Sequence, residues 1–481
     1  MKRSPGFHLT IGLIVILFAY MLGLVNTQPR VRVRRVTSVS VNSLPPAASN
    51  PSRLGFIVKY KQSALPSGIA LLQQHFKGLS VFHYDAIEPG LDFQKVPSGL
   101  NFDEVLAFFK ADPNVDYVEL NSILTEDRGS SFSDLWPNDP EFQRQWGLAN
   151  GGQEINGQVG VKGVDVGAVG AWTVTKGNHD VVVAVIDSGV DYKHPDLAEN
   201  IWVNKDEIPN NGIDDDGNGV IDDYNGYNAV DDNGNPMDVD DHGTHCAGII
   251  GAEGDNGEGV SGVNWHVSIM PVRFISSGGG GTMGDAIEAI NYVIKMKKRG
   301  VNVRVISASW GGTSYSKALE DAIKAAGKQG ILFVAAAGNS TIDNDRMPHY
   351  PSSYKLDNVL SVAAMDNTEH LAGFSNYGKE SVDIAAPGKD IYSTITGGRY
   401  KFMSGTSMAT PFVSGVAALV LAKDKNLSTA QLKKRLLDSA TPVAELKNKV
   451  VTGGRLNAAA ALGVEDTSAV RKAAALAALD R

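Results

Sequence analysis

Five short apolar runs, at residues 181–186, 267–274, 303–309, 331–337 and 359–364, do not alternate with polar residues. A strand with one wet face would alternate with period two; these runs read as strands buried on both faces. Stretches with helical periodicity, such as 283–298 and 317–327, lie between them. From residue 163 onward this predicts an α/β fold with a doubly wound parallel sheet. Upstream the pattern changes. Strands at 56–60, 79–87, 91–96 and 115–124 and helices at 68–76 and 102–110 give the order β-α-β-β-α-β. That is the order of a small α+β ferredoxin-like unit. Its second helix is opened by Asn101 as N-cap with Glu104 at N3.

At 481 residues the chain exceeds what one core usually serves. The partition read from composition is a targeting segment at 1–27, a linker at 28–53, the ferredoxin-like unit at 54–127, the parallel-sheet domain at 128–463 and an Ala-rich helical tail at 464–481. Lys2-Arg3, the apolar run 9–25 and the polar residues from Asn26 have the layout of a signal peptide, or of a membrane anchor through residues 9–25. A secreted or extracytoplasmic product is expected, membrane-attached if the segment is retained. The single cysteine, Cys246, excludes an intramolecular disulfide, so bound metal is the expected staple. Residues 205–258 carry fifteen acidic side chains against one lysine, within a chain of net charge −9. No basic patch on the folded part points to nucleic acid.

Three segments carry chemistry. VVVAVIDSGVD ends a buried strand on Asp187, DDHGTHCAGI starts a small-residue helix at His242, and SGTSMATPFVSGVAALV carries Ser407 into an apolar helix. A serine hydroxyl is a weak nucleophile until a base takes its proton, and that base needs an acid to hold its tautomer. Singly, each residue reads as a cap or a core polar group; together they are complementary. A lipase would instead show a G-x-S-x-G elbow and the order Ser…Asp…His.

These motifs, in the order Asp…His…Ser, resemble the subtilisin-like serine proteases, the subtilases, over residues 135–463. The resemblance implies a serine endopeptidase acting on protein or peptide substrates through an acyl-enzyme. In it Asp187 orients the imidazole, His242 is base and then acid, and Ser407 is the nucleophile. AAAGN at 335–339 is similar to the family's oxyanion segment, with Asn339 as donor beside the Ser407 N–H. Ser307, Ala308, Ser309, Trp310 and Gly311 resemble the strand that pairs with substrate and walls the P1 pocket, and Ala335, Ala336 and Gly338 the opposite wall. No acid or base lies within these walls, which favours a large apolar or uncharged P1 residue; Asp343 and Asp345 nearby leave a basic one open. Cys246, four residues after His242, reads as a buried inert thiol.

Oxygen donors at Asp214, Asp216, Asn218, Val220 (carbonyl) and Asp222 fit the opening of a calcium loop, although Asn225 replaces the closing Glu of an EF-hand. A second Ca²⁺ site is implied by resemblance to the thermitase-like branch: Asp139, Asp196 and Asn256, with carbonyls of Gly254, Glu258 and Val260. Both ions are structural, and no organic cofactor is expected. The 54–127 unit resembles the inhibitory propeptide of subtilases, which implies a self-processed zymogen whose propeptide is its own intramolecular inhibitor.

Overall fold

The computed structural model describes residues 55–61, 80–83, 90–96, 102–120 and 136–464. The expected targeting segment, linker, helix 68–76, Asn101 cap and C-terminal helix lie outside the described residues. The chain divides into two compact units, with the boundary between Ser130 and Ser131.

In the first unit β1 (Gly55–Tyr60), β2 (Ser80–His83), β3 (Leu91–Lys95) and β4 (Val115–Leu120) form an antiparallel sheet of order β2-β3-β1-β4. This is the strand order of a split βαβ fold. Helix α1 (Phe102–Ala111) places Val105 and Phe109, four residues apart and so on one face, in a core with Phe56, Val58 and Tyr60.

The second unit opens with a hairpin, β5 (Glu154–Ile155) and β6 (Gln158–Val159), and helix α2 (Ala168–Trp172). Its main strands are β7 (Gly177–Asp187), β8 (Tyr227–Asn228), β9 (His266–Arg273), β10 (Val303–Ala308), β11 (Leu332–Ala336), β12 (Val359–Met365) and β13 (Ile384–Pro387). A second hairpin, β14 (Ile391–Ile395) and β15 (Arg399–Met403), precedes the terminal pair β16 (Thr441–Pro442) and β17 (Gly454–Arg455). The nine-stranded sheet has the order β16-β17-β13-β12-β11-β10-β7-β9-β8, and every pairing except β16–β17 is parallel.

The helices are α3 (His242–Gly251), α4 (Met283–Lys298), α5 (Lys317–Lys328), α6 (Thr406–Lys423), α7 (Thr429–Asp438) and α8 (Ala458–Ala461). Strand β7 shows why they cover both faces. Val181, Val183 and Val185 enter the core with α3 and α6, while Val182, Ala184 and Ile186 enter the core with α4 and α5. Helix α6 is long and apolar enough to span a membrane, but 83% of its apolar window is buried, and it serves as the central core helix. The chain leaves β7 toward β9 on one side and then crosses to β10 on the other. In such sheets the crevice beyond the strand ends at that reversal is where ligands bind.

Candidate active site

Asp187 is the last residue of β7, at the reversal, and is fully buried. The N–H of Ser188 donates to its Oδ1 at 2.7 Å. His242 is the first residue of α3, and its Nδ1–H donates to the same Oδ1 at 2.7 Å. The approach needs glycine next door: a Cβ on Gly243 would collide with the Gly189 carbonyl oxygen. Burial works against a charged His242 ring, but the charge and hydrogen bond of Asp187, with Asp238 and Asp240 behind, raise it above the ordinary histidine value.

Asp238, absent from the sequence reading, fastens this end of α3. It accepts from the Thr244 N–H at 2.9 Å and hydroxyl at 2.5 Å, from the Asp240 N–H at 2.9 Å and from the Ser188 hydroxyl at 2.8 Å. Ser188 in turn accepts from the Gly243 N–H at 2.9 Å, so strand end and helix start are joined through one carboxylate. His245 lies fully buried a turn inside the helix, its Nε2 shared between the carbonyls of Ile391 and Lys401. Burial lowers it to about 3, so it is a neutral strut for the β14–β15 hairpin.

Ser407 is the second residue of α6, half-buried, and its hydroxyl donates to the Ser309 carbonyl at 3.0 Å. Pro411 lacks the N–H that would have paired with the Ser407 carbonyl one turn back. That carbonyl instead accepts from the Ser309 hydroxyl at 2.8 Å and from Cys246 Sγ at 3.4 Å. A helix-interior proline therefore ties the serine to both neighbouring elements. Burial, with Asp187 nearby, pushes the Cys246 thiol well up, so it stays protonated.

Asn339 is exposed just beyond β11, with its Oδ1 held by the Thr406 N–H at 2.8 Å and hydroxyl at 3.0 Å. This orientation turns Nδ2 outward. A Cβ built on Gly405 would lie 3.4 Å from Asn339 Nδ2 and 3.5 Å from Ser407 N, so the two donors face one small space. An oxyanion there would receive both.

Ser307 and Ala308 end β10, paired in register with Val334 and Ala335 of β11. Trp310 turns away, its Nε1–H donating to the Ile186 carbonyl at 2.8 Å and its ring against Phe274. A third segment approaches both walls: a Cβ on Gly311 would strike the His349 ring, and one on Gly338 would lie 3.0 Å from it. Burial lowers this half-buried histidine, so a neutral imidazole is added to walls that hold no acid or base of their own. Asp345 is engaged by the Ser381 hydroxyl at 2.6 Å and the Glu380 N–H, and Asp343 faces Arg346 at 3.5 Å.

Asp139, Asp196 and Asn256 come together. Asn256 Nδ2 and the Val260 N–H donate to Asp196 at 3.0 and 2.8 Å, and the Asp255 N–H donates to Asp139 Oδ2 at 2.8 Å. Asp139 Oδ1 is buried without a hydrogen-bond partner. Burial foremost, with the Asp139 charge, pushes Asp196 up to about 7. An orphaned carboxylate oxygen beside a second buried acid fits a hard cation. In the 214–222 loop the carboxylates and Asn218 accept from the loop's own N–H groups. Asp214 accepts from the Asn218 and Gly219 N–H groups, and Asp222 from those of Asn211 and Gly212. Asn218 Oδ1 accepts from the Val220 N–H at 2.8 Å, while Asp216 turns toward Glu207 and Asp223.

A family model described as the subtilase family matches residues 178–462. A thermophilic serine proteinase of Bacillus sp. (strain AK1) is 35% identical over 77% of this chain and 78% of its own. Thermitase of Thermoactinomyces vulgaris is 35% identical over 61% of this chain and 88% of its own. A halolysin-like extracellular serine protease of Natrialba magadii is 35% identical over 64% of this chain, which spans 49% of that relative.

Proposed function

The chain belongs to the subtilase family of serine peptidases, and from that premise we propose that it is a secreted endopeptidase with Asp187, His242 and Ser407 as its triad. The observation that carries the assignment is the 2.7 Å bond from His242 to a fully buried Asp187, with Asn339 Nδ2 and Ser407 N converging on one space beside the serine. Ser407 Oγ leaves the Ser309 carbonyl and attacks the scissile carbonyl carbon as His242 Nε2 takes its proton. The tetrahedral oxyanion forms between Asn339 and the Ser407 N–H, and the buried carboxylate stabilises the imidazolium. His242 then returns the proton to the leaving amine, and water repeats the sequence on the acyl-enzyme.

The walls at 307–311 and 335–338, closed by a neutral His349, suit an uncharged P1 side chain. The engagement of Asp343 and Asp345 elsewhere weighs against a basic one. Structural calcium is supported by the Asp139–Asp196 pair and by the acidic 204–223 loop. Secretion is supported by the basic-apolar-polar start of the sequence and by the extracellular halolysin-like relative. Ser407→Ala tests the central claim: hydrolysis and covalent labelling by a fluorophosphonate should both vanish while the circular dichroism spectrum is unchanged. Labelling that persists in this variant would remove Ser407 as the nucleophile.

A further inference from the structure

At the end of the sheet away from the catalytic residues, several segments meet around a groove of about 850 Å³. Asn302 and Arg304 bring the start of β10 to it, and Gly330 and Asn358 the approaches to β11 and β12. Ser307 stands near the other end of β10, and across such a strand the two places lie about 20 Å apart. The groove is lined by Lys297, Arg304, Lys324, Lys328, Lys355 and Lys425, against the carboxylate of Asp357. In a chain of net charge −9 this is a strong local reversal. Arg304 braces the frame, its guanidinium donating to the carbonyls of Lys425 at 2.9 Å, Gly330 at 3.4 Å and Leu427. Those carbonyls take its N–H groups but leave its charge unmatched. Among the described residues, none of the five lysines has a carboxylate within ion-pair distance. Asp321, on α5, is engaged by Lys317, and Lys324 and Lys328 act on it only from further off. Burial, with the Arg304 charge adding to it, lowers the Lys297 ammonium. Thr429 and Ala430 open α7 on the same lining, where first-turn N–H groups have no intrahelical acceptor. Thr429 Oγ1 is buried with no hydrogen-bond partner.

Lys297 and Lys328, in the last turns of α4 and α5, complement the helix dipoles there. The dipoles do not require Lys324, Lys355 and Lys425, which reach the same hollow. Like charges gathered in a concavity focus a field that draws an anion in. The lining holds no aromatic ring on which a nucleobase could stack. The positive stretch is also short. The hollow continuing past Arg304 and Lys425 holds Asp180, and the one continuing past Lys355 holds Glu380, Asp383 and Asp438. A long polyanion would run onto those carboxylates; a compact one would not. Lysine ammoniums bind phosphate as point charges, without demanding one orientation. A phosphate ester carries up to about two negative charges on one group, so two such groups nearly balance the lysines. First-turn N–H groups and a free Thr429 hydroxyl suit the same oxygens. We propose that this groove binds a compact ligand carrying two phosphate groups, at a site separate from the catalytic cleft. Its occupation links α4, α5 and the turn between α6 and α7. Neither the triad nor bound calcium takes part in it.

The test uses the full chain carrying Ser407→Ala, which cannot digest itself. Fructose 1,6-bisphosphate is the probe, at constant Ca²⁺ and ionic strength. Calorimetric titration should give a single site per chain, and the probe should raise the melting temperature by mass action. Lys328→Gln combined with Lys355→Gln should weaken binding by about tenfold or more. Lys162→Gln, outside the groove, should leave it unchanged. Without the probe the double variant should melt no lower than the parent, because like charges have been thinned. A double variant that binds as the parent does, or a Lys162→Gln variant that loses as much, would overturn the proposal. So would a parent that binds no bisphosphate, binds inorganic sulfate equally well, or prefers a short DNA duplex. Melting of the double variant lowered equally with and without the probe would assign the lysines to the fold alone and overturn it too.

Discussion

His242 sits under two opposed influences, and which one wins sets the pH range of the enzyme. Burial disfavours its cation, yet Asp187 at 2.7 Å, backed by Asp238 and Asp240, raises its pKa above about 6.5. The ring must be neutral to accept the Ser407 proton, so activity is lost as pH falls through the raised value. The stability contribution runs the other way: it is present below the unfolded value and fades as pH rises through the folded one. The acid limb of kcat/KM should therefore lie above the ordinary histidine value. Asp187→Asn should move that limb to lower pH and reduce kcat by about 10⁴-fold, through loss of tautomer and cation stabilisation. A pH profile unchanged by that substitution would show that another group sets the limb.

At the scale of elements, helix α3 begins where it does because Asp238 gathers four donors at its first turn. Asp238→Ala strands the Thr244 and Asp240 N–H groups and loosens Ser188 from the helix. Loss of such a buried network costs about 3 kcal/mol. Thermal unfolding should show it, and kcat should fall more than KM rises, because His242 rides on the same turn. Asp238→Asn, which keeps part of the acceptor set, should recover part of both. The element boundaries were largely legible from sequence: period-2 silence marked β7, β9, β10, β11 and β12, and helical spacing marked α4 with both ends as observed. Strand β13 and the β14–β15 hairpin were not, since IAAP is short and proline-ended and the hairpin is held by His245 from another element. The same distinction divides the site. Asp187, His242 and Ser407 each stand at an element terminus that local pattern reveals. Asp238 and His349 reach the site from loops, and loop convergence leaves no periodic trace.

The whole molecule poses a folding problem that its first unit is suited to solve. The large sheet joins β7 to β10 through residues such as Val182 and Val303, far apart in sequence, and Cys246 is a lone buried thiol, so no disulfide shortens the search. Loop-closure entropy must be met before such pairings return any stability, which makes parallel sheets slow to form. The first unit is antiparallel, with one small core built from Phe56, Val58, Tyr60, Val105 and Phe109, and should form quickly. A template of this kind, released once the enzyme is complete, is the role we propose for residues 54–127. The sequence 126–134, rich in Ser and Asp, separates it from the catalytic unit and offers a site for self-cleavage. Cleavage there leaves Asp139, and with it the calcium site proposed for Asp139 and Asp196, in the mature enzyme. N-terminal sequencing of the mature protein should begin between residues 124 and 134. A separately produced 54–127 fragment should inhibit that enzyme and speed the refolding of 135–481. Ser407→Ala should accumulate as uncut precursor, because the cut requires the nucleophile of the same protein. Normal processing of that variant would assign the cut to another protease, and a fragment that neither inhibits nor speeds refolding would leave the first unit without the proposed role.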